Sequence, residues 1–304
     1  MSWQMYRKGF AAFLQLERSH QPNTIESYLH DYDLLAEYCK EHFPKLSPVQ
    51  VELNQLSEFI RSLSAKPTSS RSIGRIISGI RAFFSYLIME DVISENPAEL
   101  LDRPKPPRNL PIYLTIDEID KMVASIDLSH PLGFRNKTII ETLYGAGLRV
   151  SELTTLTISN INFKENFLKI TGKGSKQRLV PLGEITARYI SQYLEIHRKE
   201  PPPSKGHEDF VFLNNKGRQL TREMIFTIVK NIGQAAGIRK KISPHIFRHS
   251  FATHLVQAGA DLRVVQELLG HESITTTEIY THLDRAYLQE AIVSFHPRSK
   301  TKKY

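Results

Sequence analysis

Residues 245–280, HIFRHSFATHLVQAGADLRVVQELLGHESITTTEIY, set His245, Arg248, His271 and Tyr280 into thirty-six residues made otherwise of ordinary helix formers. Two imidazoles and a guanidinium can stabilise oxyanions, and a phenol can act as a nucleophile. A tyrosine with its free pKa of about 10 is a poor nucleophile at neutral pH. Neighbouring cations lower that value and favour the phenolate. Tyr280 therefore makes chemical sense only beside positively charged groups, and the rest of the chain has to supply them.

Working outward, YGAGLRVSEL places Arg149 after Gly145 and Gly147, with Glu152 three residues on. One reading of Arg149 and Glu152 is a helix-surface ion pair worth about 0.3–0.5 kcal/mol. The other is that the glycines shape a turn that aims Arg149 into a cleft. Further along, NINFKENFLKITGKGSKQRLVPLG alternates short apolar runs with KEN and GKGSK, the pattern of a three-stranded antiparallel meander. Lys173, between Gly172 and Gly174, falls at a turn. It is either a solvated lysine or a general acid able to reach a leaving-group oxygen. TGKGSKQ lacks the spacing of a phosphate-binding loop.

The histidines also admit a metal reading, because His245 and His249 are four residues apart and share a helix face. The zinc-protease pattern needs a glutamate directly after the first histidine, and Ile246 stands there. His249, His254 and His282 read as bystanders, the first two in packing or hydrogen bonding.

The 304 residues suffice for two domains. The clearest boundary is DRPKPPRNLPI, residues 102–112, where four prolines favour an extended, semi-rigid linker. Residues 1–101 show helical stripes: Ile25, Tyr28, Leu29, Tyr32, Leu35, Ala36 and Cys39, then Ile73, Ile76, Ile77, Ile80, Phe83, Phe84, Leu87 and Ile88. Helices near 3–18 and 53–64 complete an all-helical bundle, with Asn23 or Thr24 capping the second helix after Pro22. In residues 113–304, Thr115 and Glu118 form a capping-box pattern, and helices are expected near 134–145, 184–199, 221–236, 244–258, 261–269 and 273–281. A shorter amphipathic piece runs from Tyr287 to Phe295. The fold class is mainly α with a small antiparallel β-sheet.

Residues 1–106 carry 12 Lys and Arg against 13 Asp and Glu, while the remainder carries 28 against 19. An excess of +9 in the second part is compatible with nucleic acid but does not establish it. No apolar run approaches the ~20 residues of a membrane span, no signal segment opens the chain, and Cys39 is the single cysteine. A cytoplasmic location is the expectation.

The ordered set Arg149, Lys173, His245-x-x-Arg248, His271 and Tyr280 resembles the catalytic signature of the tyrosine recombinases of the phage-integrase family. The likeness spans essentially the whole chain and is greatest to the bacterial Xer recombinases, on their XerD-like side. It departs at Ile246 and Phe247, where Xer proteins commonly carry threonine and leucine. It implies an all-helical core-binding domain (1–101) and an α+β catalytic domain (113–304). It also implies site-specific recombination through a 3′-phosphotyrosyl intermediate, with Tyr280 as nucleophile and Arg149, Arg248 and His271 on the phosphate oxygens. Lys173 would be the leaving-group acid and His245 a proton-transfer partner. No metal or other cofactor and no ATP is implied.

The implied role is chromosome dimer resolution at cell division. Alternatives are a mobile-element integrase, a DNA-binding protein without catalysis, and a metal-dependent hydrolase. The partners implied are a double-stranded recombination site, a tetramer on two such sites, a paralogous XerC-like recombinase and a DNA translocase as activator. The two domains would clamp a duplex, with Arg71, Arg75, Arg81 and Arg222 as candidate DNA contacts. The segment 285–304 would dock on a neighbouring subunit, the competing reading being that it folds onto its own domain.

Overall fold

The computed structural model describes residues 3–18, 22–104, 112–172, 177–270 and 284–299, with side chains of the last segment from residue 287 on. The chain divides into two compact units, Met1–Leu110 and Pro111–Tyr304.

The first unit is built from α1 (Trp3–Leu16), α2 (Pro22–His42), α3 (Leu53–Ser64) and α4 (Ser70–Met89). The second helix is already formed at Pro22, the first described residue of its segment, so Asn23 and Thr24 lie inside it rather than capping it. The stripes read from the sequence close the core: Tyr32, Leu35 and Cys39 of α2 and Ile77, Ile80, Phe83 and Phe84 of α4 are buried against Phe10 and Leu14 of α1. Tyr32 and Phe83 meet edge-on at 4.6 Å, and Phe10 meets Phe83 at 5.5 Å. Among the described residues α4 alone is long and apolar enough to cross a membrane. Nine of its side chains and backbone positions, Ile73 to Leu87, are already buried inside this unit.

The second unit holds α5 (Ile116–Ala124), α6 (Gly133–Gly145), α7 (Val150–Thr154), β1 (Ile161–Asn162), β2 (Phe167–Thr171), β3 (Gln177–Pro181), α8 (Glu184–Gln192), α9 (Arg222–Ala235), α10 (Pro244–Gln257), α11 (Leu262–Leu269) and α12 (Asp284–Phe295). The capping box forms as expected: Thr115 Oγ1 accepts from the Glu118 amide at 3.2 Å, and Glu118 Oε2 accepts from the Thr115 amide at 2.8 Å. The expected meander is present in the order β1-β2-β3, antiparallel throughout, with Leu168 opposite Val180. The helix expected over 184–199 ends its α-helical part at Gln192 and continues as a wider π turn through His197. The helix expected over 273–281 lies outside the described residues.

The central α6 is buried on nearly every side and packs on α8 and α10. Within this single chain the last described segment packs on its own domain. Leu288, Ala291 and Ile292 of α12 enter the catalytic unit's core beside β3, α10 and α11. Arg298 then binds the buried Glu141 at 2.9 Å and reaches Asp120. The His296 ring accepts the Arg298 amide at 3.0 Å, and complete burial followed by the Arg298 charge pushes its pKa down to about 3. Removing residues 285–304 therefore strips apolar surface from this core, and tests folding before it tests any contact between subunits.

Candidate active site

The site is assembled where three separated segments meet: the turn after α6, the strand β3, and the paired helices α10 and α11. Gly147 has φ +58°, and a Cβ there would stand 2.7 Å from the Phe251 ring. Only glycine allows this reversal against α10. It delivers Arg149 to the N-cap of α7.

Around Arg149 the carboxylate of Glu152 is the organising group. Its Oε2 accepts from the Arg149 amide and its Oε1 from Arg149 Nη1, both at 2.8 Å. Arg178 of β3 adds a two-pronged bond, Nη1 to Oε1 at 2.7 Å and Nη2 to Oε2 at 2.9 Å. Arg248 stands with Nη1 4.0 Å from Oε2. Glu152 is only 4% exposed. The surface ion-pair reading of Arg149 and Glu152 is thus replaced by a buried hub of one carboxylate among three guanidinium groups. Burial alone would raise the Glu152 pKa, but the hydrogen bonds from Arg178 and the Arg149 amide outweigh it and hold the group at about 2.

Arg248, on α10, is 4% exposed. It donates to the Gly147 carbonyl at 2.8 Å and to the Leu269 carbonyl at the end of α11. Burial, then the charge of Arg149, lowers its pKa to about 10, which leaves it charged at neutral pH. Two backbone acceptors use only part of its five-donor fork. Ile246 and Phe247, the departure from the usual Xer residues, are buried in the core beneath it.

His245 is exposed at the first turn of α10, three residues before Arg248. Partial burial, then the charges of Arg248 and Arg149, hold its imidazole below the ordinary 6.5. A histidine with its pKa so lowered is neutral at pH 7 and can accept a proton. If it serves as the base, cleavage slows as the pH falls through that lowered value, and His245→Gln removes this acid limb. Single-turnover cleavage between about pH 5 and pH 8 measures it. An identical limb in the variant would assign the titration to another group.

Lys173, His271 and Tyr280 lie outside the described residues. Gly270, the residue before His271, closes α11 in the left-handed region at φ +62°, and its carbonyl lies 3.4 Å from Arg149 Nη2. The structure therefore brings Arg149, Arg248 and His245 together from residues 149 to 248 of the chain.

Among the bystanders, His254 is buried with Nδ1 2.8 Å from the Tyr144 hydroxyl, and His249 is exposed. No group of three His, Cys, Asp or Glu suited to a metal occurs among the described residues. Arg178 was not singled out in the sequence. The signal was present: by the two-residue period of a strand it shares a face with the buried Val180.

The four candidate DNA contacts fare differently. Arg71 is exposed on the first turn of α4, and Arg222 is exposed at the start of α9, behind a Thr221 cap that accepts from Met224 at 3.3 Å. Arg222 shares an open groove with Ser151, Thr155, His207 and Arg218. Arg75 is not the free cation expected, because it binds the buried Asp31 at 2.7 Å. A Cβ on Gly79 would stand 2.6 Å from that carboxylate, so the glycine makes room for the pair. Arg81 is not free either: it donates to the carbonyls of Ala98, Glu99 and Leu101, tying the end of the helical unit to α4.

The phage integrase family matches residues 113–286 of this chain, and the phage integrase N-terminal SAM-like domain matches residues 8–91. The chain is 40% identical over 290 residues to tyrosine recombinase XerD of Listeria innocua, covering 95% of this chain and 98% of the relative. It is 41% identical over 299 residues to tyrosine recombinase XerD of Chlorobaculum tepidum, covering 97% of each. Among solved structures it is similar to the XerH site-specific recombinase bound to a palindromic difH substrate in a post-cleavage complex. That match has 29% identity and a TM-score of 0.70, and it covers 88% of this chain and 79% of the other.

Proposed function

The chain belongs to the phage integrase family and is an Xer-type tyrosine recombinase that cuts and rejoins DNA at a specific site; from that premise we propose how its residues divide the work. The supporting observation is the convergence of Arg149 and Arg248 on Glu152 within hydrogen-bonding reach of the end of α11.

Tyr280 attacks the scissile phosphorus through its phenolic oxygen. The new O–P bond forms as the bond to the 5′-oxygen breaks, leaving a 3′-phosphotyrosine and a free 5′-hydroxyl. The phenolic proton passes to neutral His245, and Lys173 protonates the departing 5′-oxygen. Arg149 and Arg248 hold the non-bridging oxygens, with a planar fork matched to the developing charge, and His271 adds a further hydrogen bond. A 5′-hydroxyl from the second site then reverses the step on a new partner strand. The phosphodiester energy is kept in the phosphotyrosine, so this chemistry requires neither ATP nor a metal ion.

The enzyme acts on double-stranded recombination sites as a multimer. The finer proposals are a tetramer on two sites, pairing with a paralogous XerC-like subunit, activation by a DNA translocase, and chromosome dimer resolution as the task. Arg71, Arg222 and the exposed, ion-paired Arg75 are the candidates for phosphate contacts; as the first residue of α9, Arg222 also has the helix N-terminus beside it. A cytoplasmic location accords with a DNA substrate.

The test is covalent capture from fragmented genomic DNA followed by sequencing, with Tyr280→Phe as control. A single recurring chromosomal site is expected. Capture confined to the ends of a mobile element would support the integrase alternative. DNA binding without any capture would support a protein that no longer catalyses.

A further inference from the structure

Three consecutive carbonyls end α11, and each accepts a different arginine. Leu268 O accepts Arg178 Nε at 3.3 Å, Leu269 O accepts Arg248 Nη2, and Gly270 O accepts Arg149 Nη2 at 3.4 Å. These carbonyls carry the negative end of the helix dipole, which favours cations there. Two of the three arginines belong to the proposed catalytic set; Arg178 does not.

Arg178 differs from Arg149 in where it points. Its side chain is 15% exposed against 36% for Arg149, and both its terminal nitrogens are spent on Glu152. Gly270 closes over it, since a Cβ there would stand 2.8 Å from Arg178 Cδ and 3.1 Å from Nε. A side chain held on one edge by a carboxylate and along its stem by backbone is braced and does not reach outward.

We propose that Arg178 is a positioning residue for strand cleavage: by saturating Glu152 and gripping the end of α11, it keeps Arg149 and Arg248 aimed at the scissile phosphate. The decisive distance is 4.0 Å between Arg248 Nη1 and Glu152 Oε2. That is close enough for attraction and too far for a hydrogen bond. With Arg178 in place, both carboxylate oxygens already accept a two-pronged guanidinium, and Arg248 stays on Gly147 and Leu269. With Arg178 gone, the half-emptied carboxylate draws Arg248 and Arg149 inward, away from the substrate. Displacing a catalytic group by about 1 Å can cost about a hundredfold in rate.

The proposal rests on the recombinase reading, and its test separates the two. Wild type, Arg178→Met and Arg178→Lys are compared on a nicked suicide site carrying either an ordinary scissile phosphate or a neutral methylphosphonate. Binding to the intact site and thermal unfolding are followed alongside. On the phosphate, Arg178→Met is expected to cleave about 30- to 100-fold slower at saturating DNA, with affinity changed about twofold or less. Arg178→Lys keeps the charge but loses the fork, and falls between the two. On the methylphosphonate the arginines have less charge to balance, so the gap to wild type narrows to about threefold or less. Cleavage by Arg178→Met at the wild-type rate overturns the proposal. So does an equal deficit on both linkages, which marks loss of fold rather than misaimed arginines. Absence of adduct from wild type itself overturns the recombinase reading instead.

Discussion

Arg248→Lys is expected to lower the rate of strand cleavage about a hundred- to a thousandfold while affinity for the intact site changes only a few-fold. The fork of Arg248 donates at once to Gly147 and Leu269, from a side chain 5% exposed. An ammonium has no planar fork and cannot span both carbonyls while also meeting a phosphate oxygen. Its charge is also less secure. The surroundings that bring Arg248 from 12.5 to about 10 would act on a lysine that starts near 10.4, bringing it toward neutrality at working pH. Binding survives because most affinity for a duplex comes from many phosphate contacts rather than from one. Single-turnover cleavage and a binding titration on the same DNA separate the two effects. Unchanged cleavage would remove Arg248 from the active site.

Glu152→Ala is expected to cost about 3–5 kcal/mol of folding stability and most of the cleavage activity. Among the described residues the carboxylate is the anion that binds Arg149 and Arg178 in the hub, with Arg248 at 4.0 Å, and its loss leaves these charges facing one another. The pH dependence gives an independent check. A carboxyl whose folded pKa lies near 2, against an ordinary 4.5, contributes stability that is fully present above pH 4.5. That contribution is lost as the pH falls toward 2, because the unfolded chain then binds the proton more readily. The difference corresponds to about 3 kcal/mol. Glu152→Gln, which cannot ionise, should therefore show a flatter loss of stability over that window. Denaturant melts of both proteins at several pH values measure it; parallel curves would mean that Glu152 is not the buried hub.

Much of the architecture was legible because local signals agreed with one another. The Thr115–Glu118 capping box, the alternation of the three strands and the stripes of α2 and α4 each had a period or a cap that physics ties to one conformation. The grouping of Arg149, His245 and Arg248 was legible as an ordered set. What escaped was pairing across distance. Sequence separation hides that Arg75 meets a carboxylate 44 residues away and that Arg81 satisfies carbonyls 17 to 20 residues on. A surface arginine and a braced one look alike in sequence until the partner is seen.

The same limit explains Arg178 and Glu152. A glutamate three residues from an arginine reads as a helix-surface pair, and only the approach of β3 and α10 turns it into a buried hub. The C-terminal segment shows the opposite lesson. Its apolar face suits a neighbouring subunit or its own domain equally, and Leu288, Ala291 and Ile292 are found in the latter.

The central claim is a tyrosine nucleophile served by arginines, and one measurement reaches it directly. The protein is incubated in the presence of EDTA with a nicked suicide site, digested, and the DNA-linked peptide identified by mass spectrometry. The expected result is DNA joined through its 3′-phosphate to Tyr280, a free 5′-hydroxyl on the released strand, and no adduct from Tyr280→Phe. An adduct on another residue, a 5′-phosphate linkage, or no adduct on a site the protein binds tightly would contradict the account.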